Sequence, residues 1–483
     1  MQQGESTSMY RRIVKTTGLL GGVQVLSILC SIVRNKCIAL WLGPAGVGII
    51  GLYNTSMEMI AALTGLGLRQ SAVRNVSQAR ASENEKALSR TVTVLRRWSW
   101  LAGLFGAVVM LSTAPLLSRF TFGDDKHIWG YVWLSCALLF NALASGDQAI
   151  LQGTQRLRQL SKAGVAGNLA ALLLSLPLYY FFRFGGIVPS LVLSSAVTFF
   201  FVWIYSRRSV VPKQPVSVRE TWNDGKCMVV LGVYMTVSGF LTTLFNYLFI
   251  GFVHRTAGDA DLGYYQAGYA IVTRYVGLVL AAMATEYYPR LAAVSEDGEA
   301  LGNQVSRQIE AALLLLAPIV SLFLLLQEWV IRLLYTSEFL CIEIFFSWAM
   351  VGVLFKSVSW AMGFVLLAKG DGKLYLITEL ISDLCGFLLN VSAYYLWGLE
   401  GAGVAYLLNF VIYGIMMWWV CRRHYHIRLG RSWYGVAVWV IVGCAVVSLL
   451  YRIGSVPALS VAVVCAVTVS VAALWGLKRR LAI

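Results

Sequence analysis

Residues 42–48 read LGPAGVG, and residues 257–263 read AGDADLG. Overlaid at an offset of 215 residues, Gly43 falls on Gly258, Ala45 on Ala260 and Gly48 on Gly263. The same offset places Tyr179 and Tyr180 on Tyr394 and Tyr395, Gly186 on Gly401, and the pair Arg207-Arg208 on Arg422-Arg423. A period this long implies two copies of a whole bundle rather than a solenoid of short repeats. Each copy holds six apolar stretches. Because six is even, both copies enter a membrane in the same sense, related by a pseudo-two-fold along its normal, as in transporters built from parallel repeats. A seam between two such lobes can open to one side and then the other, so the repeat reads as a transporter.

Composition supports a membrane setting. Of 483 residues 58% are hydrophobic and 13% charged, against about half and a quarter in soluble domains. Apolar runs fall near 13–41, 48–68, 92–116, 128–150, 163–182, 187–205, 229–252, 262–285, 308–327, 342–368, 374–397, 401–420, 433–451 and 456–477. Each is long enough to cross the ~30 Å hydrocarbon core as a helix. The expected fold is an all-α polytopic membrane protein with fourteen transmembrane helices: pseudo-symmetric six-helix lobes over 10–208 and 225–423 and an added hairpin over 433–478. A large soluble catalytic domain is excluded. The first run is too long for a signal h-region and lacks a small-residue cleavage site, so it is expected to be retained.

The formal charge of +16 would suggest nucleic acid in a soluble protein, but its distribution follows topology. With both termini on one side, 29 of the 39 Lys and Arg fall on that side and six on the other. By the positive-inside rule both termini are cytoplasmic, and no nucleic-acid partner is needed. With Lys15, Arg96 and Arg97, which lie in the first two turns of their runs, counted on the terminal side, four cations remain deeper inside spans: Arg34, Lys36, Arg274 and Lys356. Arg34 lies about 13 Å before the Gly43-Pro44 turn, Lys36 about 10 Å before it, and Arg274 about 18 Å into its span. Lys356 is similarly deep. A cation so far from either surface normally faces a bundle interior or an aqueous cavity. Lys36, two residues from Arg34, points to nearly the opposite helix face.

Acids accompany them: Glu58, Asp147, Glu310, and the pair Glu379 and Asp383. At the 215-residue offset Glu58 falls on Thr273, next to Arg274. Glu379 and Asp383 share a helix face, where like charges would hold one proton between them or take a cation. Glu58, Asp147, Glu379 and Asp383 are therefore ion-coupling candidates, with salt bridges as the alternative. The deepest positions belong to cations. Arginine pairs bidentately with phosphate oxygens and lysine acts as a point charge, so Arg34, Arg274, Lys356 and Lys36 point to an anionic substrate. Tyr394 and Tyr395, at a span end, read as interfacial anchors. The nine cysteines are scattered without a CxxC pair and read as small core residues; His424 and His426 read as a solvated loop. No cofactor or metal is expected.

The stretches LWLGPAGVGIIGL (40–52), AMATEYYPRLAAVSED (282–297) and LFKSVSWAMGFVLLAKGDGKLY (354–375) resemble the polysaccharide transporter, or Wzx-type O-antigen translocase, branch of the multidrug/oligosaccharidyl-lipid/polysaccharide flippase superfamily. The resemblance covers nearly the whole chain. It implies two six-helix lobes around a central cavity and, as cargo, an undecaprenyl-diphosphate-linked oligosaccharide moved from the inner to the outer leaflet of a bacterial cytoplasmic (inner) membrane by alternating access. It further implies that Arg34 and Lys36 match cavity-facing cations of related lipid flippases and that Lys356 matches the lysine of its motif. The lipid bilayer and other polysaccharide assembly proteins are the implied partners. The hairpin at 433–477 resembles the fourteen-span flippases. Two alternatives stand beside this reading. One is an antiporter of drugs or organic cations, with acids as its ion site. The other is a membrane glycan polymerase or ligase, which would be expected to carry a long outer loop with catalytic residues; the outer loops in this sequence are short. Walker and nucleophile motifs are absent, so energy would come from an ion gradient, the membrane potential or removal of product.

Overall fold

The computed structural model describes the backbone of residues 2–65, 68–81, 84–207, 216–430 and 432–481; the side chains of 2–25 and of several short helical stretches, Arg274 among them, lie outside the described residues. Every element described is helical. The helices are α1 (Gln2–Thr64), α2 (Leu68–Ala81), α3 (Glu85–Thr121), α4 (Ile128–Gly153), α5 (Leu157–Phe182), α6 (Ile187–Arg207), α7 (Val218–Ala270), α8 (Val276–Ala293), α9 (Gly298–Leu325), α10 (Gln327–Leu334), α11 (Glu343–Ala368), α12 (Gly372–Arg423), α13 (Ser432–Ile453) and α14 (Val456–Leu481). A spanning segment has no water to satisfy its backbone, so the helix is the form an apolar run of this length must take. Polar caps set three of the starts. Asn84 accepts from the amides of Lys86 and Ala87, Asp297 from those of Glu299 and Ala300, and Asp371 from that of Leu374, each quenching orphan donors of a first turn.

Ten helical stretches are long and apolar enough to cross a bilayer, fewer than the fourteen runs read from the sequence. The difference has a local cause. Four of the ten, Leu26–Thr64, Leu157–Arg207, Thr236–Ala293 and Gly372–Arg423, are 39 to 58 residues long, at least about 58 Å as straight rods, nearly twice the hydrocarbon thickness. Each contains a backbone break. The rings of Phe249 and Tyr265 meet at 5.1 Å, although sixteen intervening helical steps would hold them about 24 Å apart. The chain therefore doubles back at Gly258.

These breaks obey the repeat. Gly43 has φ 67 and ψ −167, and Gly258 has φ 86 and ψ −174, a region essentially reserved for glycine. Arg183 (φ 51, ψ −127) and Gly398 (φ 58, ψ −134) form a second pair at the same offset. Gly186 and Gly401 form a third: a Cβ on the first would overlap the carbonyl oxygen of Leu178, and on the second that of Ala393, which is again the equivalent residue. The turns that end α4 and α11 also correspond. Amides of Thr154, Gln155 and Arg156 bond the carbonyls of Ile150, Gln152 and Leu151, and those of Lys369, Gly370 and Asp371 bond Val365, Leu367 and Leu366.

The chain divides into two compact units, Met1–Tyr247 and Leu248–Ile483, a division that falls inside α7, beyond the lobe start at 225 read from the sequence. In the first unit Ile38 and Met57 of α1, Met110 of α3, Tyr131 and Leu134 of α4 and Tyr179 of α5 form one buried cluster. Its end is closed by His127 stacked on Phe122 at 3.8 Å and by Tyr53 against Phe122 at 5.3 Å. The chain past α6 is tied to α3: Arg97 donates to the Val216 carbonyl (2.8 Å) and the Thr221 hydroxyl (2.7 Å), and the Trp98 indole donates to the Thr221 carbonyl (2.8 Å). In the second unit Leu313, Leu316, Ala317 and Val320 of α9 are fully buried. The α13–α14 hairpin packs against α9, with Ser321 and Ser470 hydroxyls 3.2 Å apart and the Gly430 amide donating to Ser306 at 2.8 Å.

Candidate functional site

Both units contribute candidate residues. In the first, Arg34 lies on α1 nine residues before the Gly43 break, on a helix whose apolar composition holds the guanidinium within the span. Its Nε is buried and has no hydrogen-bond partner among the described residues. Such a donor demands an account, because nearly all buried polar groups in native structures are paired. Beside it is Tyr179, a buried side chain whose hydroxyl is hydrogen-bonded with Ser190 and lies in the field of the Arg34 charge. Lys36 is partly buried and Glu58 exposed on the same helix; both have partners.

Asp147 is placed differently from its companions. Only 6% exposed on α4, it accepts from Arg96 Nε of α3 at 3.3 Å and from the Ser206 hydroxyl of α6 at 2.8 Å. Arg96 Nη2 in turn donates to Ser206 at 3.1 Å. This closed triangle ties three helices together at one end of the unit, an ion pair of the kind the sequence left open as the alternative to coupling. Glu310, the one of these acids not counted among the coupling candidates, is buried on α9.

In the second unit Lys356 is partly buried on α11 with its ammonium 5.1 Å from the Phe410 ring centroid. No carboxylate among the described residues forms an ion pair with it. A cation over an aromatic face is attracted by the ring quadrupole yet keeps its charge available to an anion. Three residues along α12 from Phe410, the Tyr413 hydroxyl donates to Glu379 Oε1 at 2.5 Å. Asp383 lies close enough for its charge to act on both Glu379 and Tyr413. Phe410 and Tyr413 share a helix face at this spacing, so one strip of α12 serves the lysine and the carboxylate pair. Aromatic rings extend the strip: Phe410 to Tyr406 at 4.9 Å, Tyr406 to Tyr269 at 6.5 Å, and Tyr269 to Tyr265 at 5.7 Å. Tyr269 is followed by a π-helical turn, Ile271–Tyr275, that carries Arg274 and packs against α11. Such turns insert an extra residue and are frequent at functional sites. The Arg274 side chain lies outside the described residues.

Sequence alone does not single out Tyr179, Phe410 or Tyr413. Interfacial anchoring suits Tyr180 and Tyr395, which are 54% and 78% exposed, but not their neighbours Tyr179 and Tyr394, which are buried. Alternation along the helix is the available signal. Arg96 and Ser206 carry none, because their partner Asp147 is remote in sequence from both.

Comparison with known proteins agrees with this architecture. Residues 38–343 match the family described as polysaccharide biosynthesis protein. The lipid III flippase of Escherichia coli (strain K12) is 23% identical over 411 residues, covering 80% of this chain and 93% of that protein, and the lipid III flippase of Shigella flexneri matches equally. Among solved structures, the lipid II flippase MurJ in an inward closed conformation superposes with a TM-score of 0.71 at 12% identity, covering 97% of this chain and 100% of that one. An inward-facing multidrug resistance MATE family transporter of the MOP superfamily gives 0.67 at 17% identity over 83% of this chain and 94% of that one. With more than half its length matched, the chain is a multi-pass membrane protein that belongs to the polysaccharide biosynthesis protein family.

Proposed function

We propose that this protein is a flippase for a lipid-diphosphate-linked oligosaccharide, an undecaprenyl-diphosphate-linked repeat unit of O-antigen or a related surface polysaccharide. The observation that carries the reading is the buried Nε of Arg34, unpartnered among the described residues, joined by a Lys356 ammonium held over the Phe410 ring. A guanidinium and an ammonium with no acid partner among the described residues are donors prepared for an anion, and phosphate oxygens take both. The relatives named lipid III flippase span nearly their whole length with this chain, which supports a lipid-linked cargo. Arg274, on its π-helical turn, and Lys36 complete the proposed cationic set.

Each doubled-back stretch counts as two crossings, which gives fourteen. Both termini are cytoplasmic on the Lys and Arg distribution, in the inner membrane of a bacterium. Arg34 grips the diphosphate from the cytoplasmic side, with Arg274, Lys356 and Lys36 as the further cationic candidates, while the prenyl tail stays in lipid and access alternates between the two sides of the membrane. The protein makes and breaks no covalent bond; Glu379 and Asp383, with Tyr413, form the ion-coupling site, whereas Asp147 is held by Arg96. Glu58 is a second coupling candidate. Other polysaccharide assembly proteins supply and consume the cargo.

The test is transport of a short-chain diphosphate-linked glycolipid in proteoliposomes. Wild type is expected to flip it, and Arg34→Ala to lose the activity while remaining folded. The similarity to a multidrug transporter structure supports a second reading, organic-cation antiport. Export of a cationic dye by wild type, without movement of the glycolipid, would favour that reading.

A further inference from the structure

At one end of the first unit α3, α4 and α6 enclose a pocket of ≈ 120 Å³, lined by Arg96, Trp100, Leu143, Asp147, Trp203 and Arg207 among others. That is about four water volumes. Two members of the triangle, Arg96 and Asp147, line it, and the third, Ser206, lies behind them. Asp147 and Ser206 occupy Nε and Nη2 of Arg96, so one edge of the guanidinium is fixed and Nη1 has no hydrogen bond among the described residues. Arg207, next to Ser206 on α6, holds its guanidinium 5.8 Å from the Trp203 ring centroid; its charge acts on Asp147, but it forms no ion pair within 4.0 Å among the described residues. Asp147 offsets one of the two cations, so the pocket keeps a net positive charge.

Its surroundings are apolar and outward-facing: Trp100 is 50% exposed and Trp203 39% exposed. Indoles with an apolar body and one donor collect at the headgroup level of a bilayer. α6 has 21 residues, about 31 Å, which matches the hydrocarbon thickness and puts Arg207 at the headgroup level of one leaflet. A fixed guanidinium edge and a second, stacked arginine converge on a small polar volume whose walls are indole and leucine. We infer that this pocket binds the phosphate headgroup of an anionic glycerophospholipid, a bilayer lipid distinct from the cargo. The phosphate oxygens take Nη1 of Arg96 and the Arg207 fork, and the acyl chains lie along the apolar wall. That the leaflet is the cytoplasmic one rests on the orientation proposed above; the pocket does not, and neither does its test, which is made in micelles.

The experiment is native mass spectrometry of the delipidated full chain in detergent, titrated with phosphatidylglycerol or phosphatidylcholine. Arg207→Gln and the charge-neutral double variant Arg96→Gln/Asp147→Asn are compared with wild type. Wild type should prefer phosphatidylglycerol. Arg207→Gln, at an exposed position, should keep the wild-type melting temperature and bind that lipid about fivefold more weakly. The double variant should lose the preference, and if it does not fold, Arg207→Gln carries the test. Equal binding of the two lipids by wild type, or unchanged binding in Arg207→Gln, would overturn the assignment. So would filling of the pocket by glycerol 3-phosphate with the affinity of the lipid, which would make it a soluble-phosphate site. Displacement of phosphatidylglycerol by a prenyl-diphosphate glycolipid in wild type alone would overturn it too, by giving the pocket to the cargo.

Discussion

A cation inside a membrane span is decided by what meets it, and in this chain the candidates separate by their partners. Asp147 is satisfied by Arg96 and Ser206, so Asp147→Ala should destabilise through the stranded guanidinium. The expected cost is about 1–3 kcal/mol, below the fully buried value because Arg96 is a quarter exposed. Loss of melting temperature in detergent would measure it, and Arg96→Gln/Asp147→Asn should recover part of the loss, since neither charge is then left alone. Lys356 behaves oppositely: Lys356→Met removes a cation with which no carboxylate among the described residues pairs, so transport should fall while thermal stability is kept or raised. Counting from the glycine turn and the run ends, the sequence sets Arg34 and Lys356 well inside apolar runs. It could not show that Asp147 was taken, because Arg96 and Ser206 come from other helices and only packing joins them. Outside the span, Asp124 is hydrogen-bonded by His127 (2.9 Å) and the Lys126 amide (3.2 Å), and Asp125 by Arg119 (2.7 Å). These donors hold both carboxyls below the usual carboxylate range, with the hydrogen bond the larger cause in each. A depressed folded pKa gives stabilisation that is present above the unfolded pKa and lost as pH falls through the folded value. Hydrogen exchange of residues 122–131, corrected for intrinsic rates, should therefore quicken as pH drops from about 5 to about 3.

Among the elements, the turns carry the repeat more faithfully than the helices do. Gly43 and Gly258 share a backbone region that other residues hardly adopt, and the side chains flanking them differ. Their equivalence is visible from the LGPAGVG and AGDADLG alignment. The Gln155 and Gly370 pair, both at positive φ, is hidden because one copy lacks glycine. Gly43→Ala should cost about 1–3 kcal/mol, and Gly258→Ala the same, read as matched falls in melting temperature. Gly401→Ala should be worse than a typical surface change, because its new methyl meets the Ala393 carbonyl and overpacking costs about 1–3 kcal/mol or more. The fourteen apolar runs emerge as ten helical stretches because successive helices follow one another across the breaks at Gly43, Arg183, Gly258 and Gly398 with almost no chain between them, whereas hydropathy sees the dip in apolar character at each turn.

For the whole molecule, duplication, apolar composition and family membership converge on transport of a lipid-linked glycan. The hairpin α13–α14 is the part with no copy at the 215-residue offset. It covers one face of α9 through small side chains and hydroxyl contacts, and Arg452 at its turn is bonded to Glu400 at 3.2 Å and lies over Trp348. Truncation before residue 433 exposes that face to lipid rather than water, so the remainder should still insert but melt at lower temperature. Fold class was legible in the sequence because apolar run length is a one-dimensional property. The site was legible only as a set of depths: tyrosines 179 and 413, which define the surroundings of Arg34 and Glu379, depend on which helix faces which. The measurement that tests the central claim most directly is equilibrium binding of a short-chain prenyl-diphosphate glycolipid to the purified protein, wild type against Arg34→Gln. A charge-assisted hydrogen bond to phosphate of about 1.5–3 kcal/mol predicts affinity lower by about ten- to a hundredfold in the variant, with melting temperature unchanged. Equal affinity in the two proteins would contradict the assignment of Arg34 to the diphosphate, and with it the proposal that this cation grips the cargo.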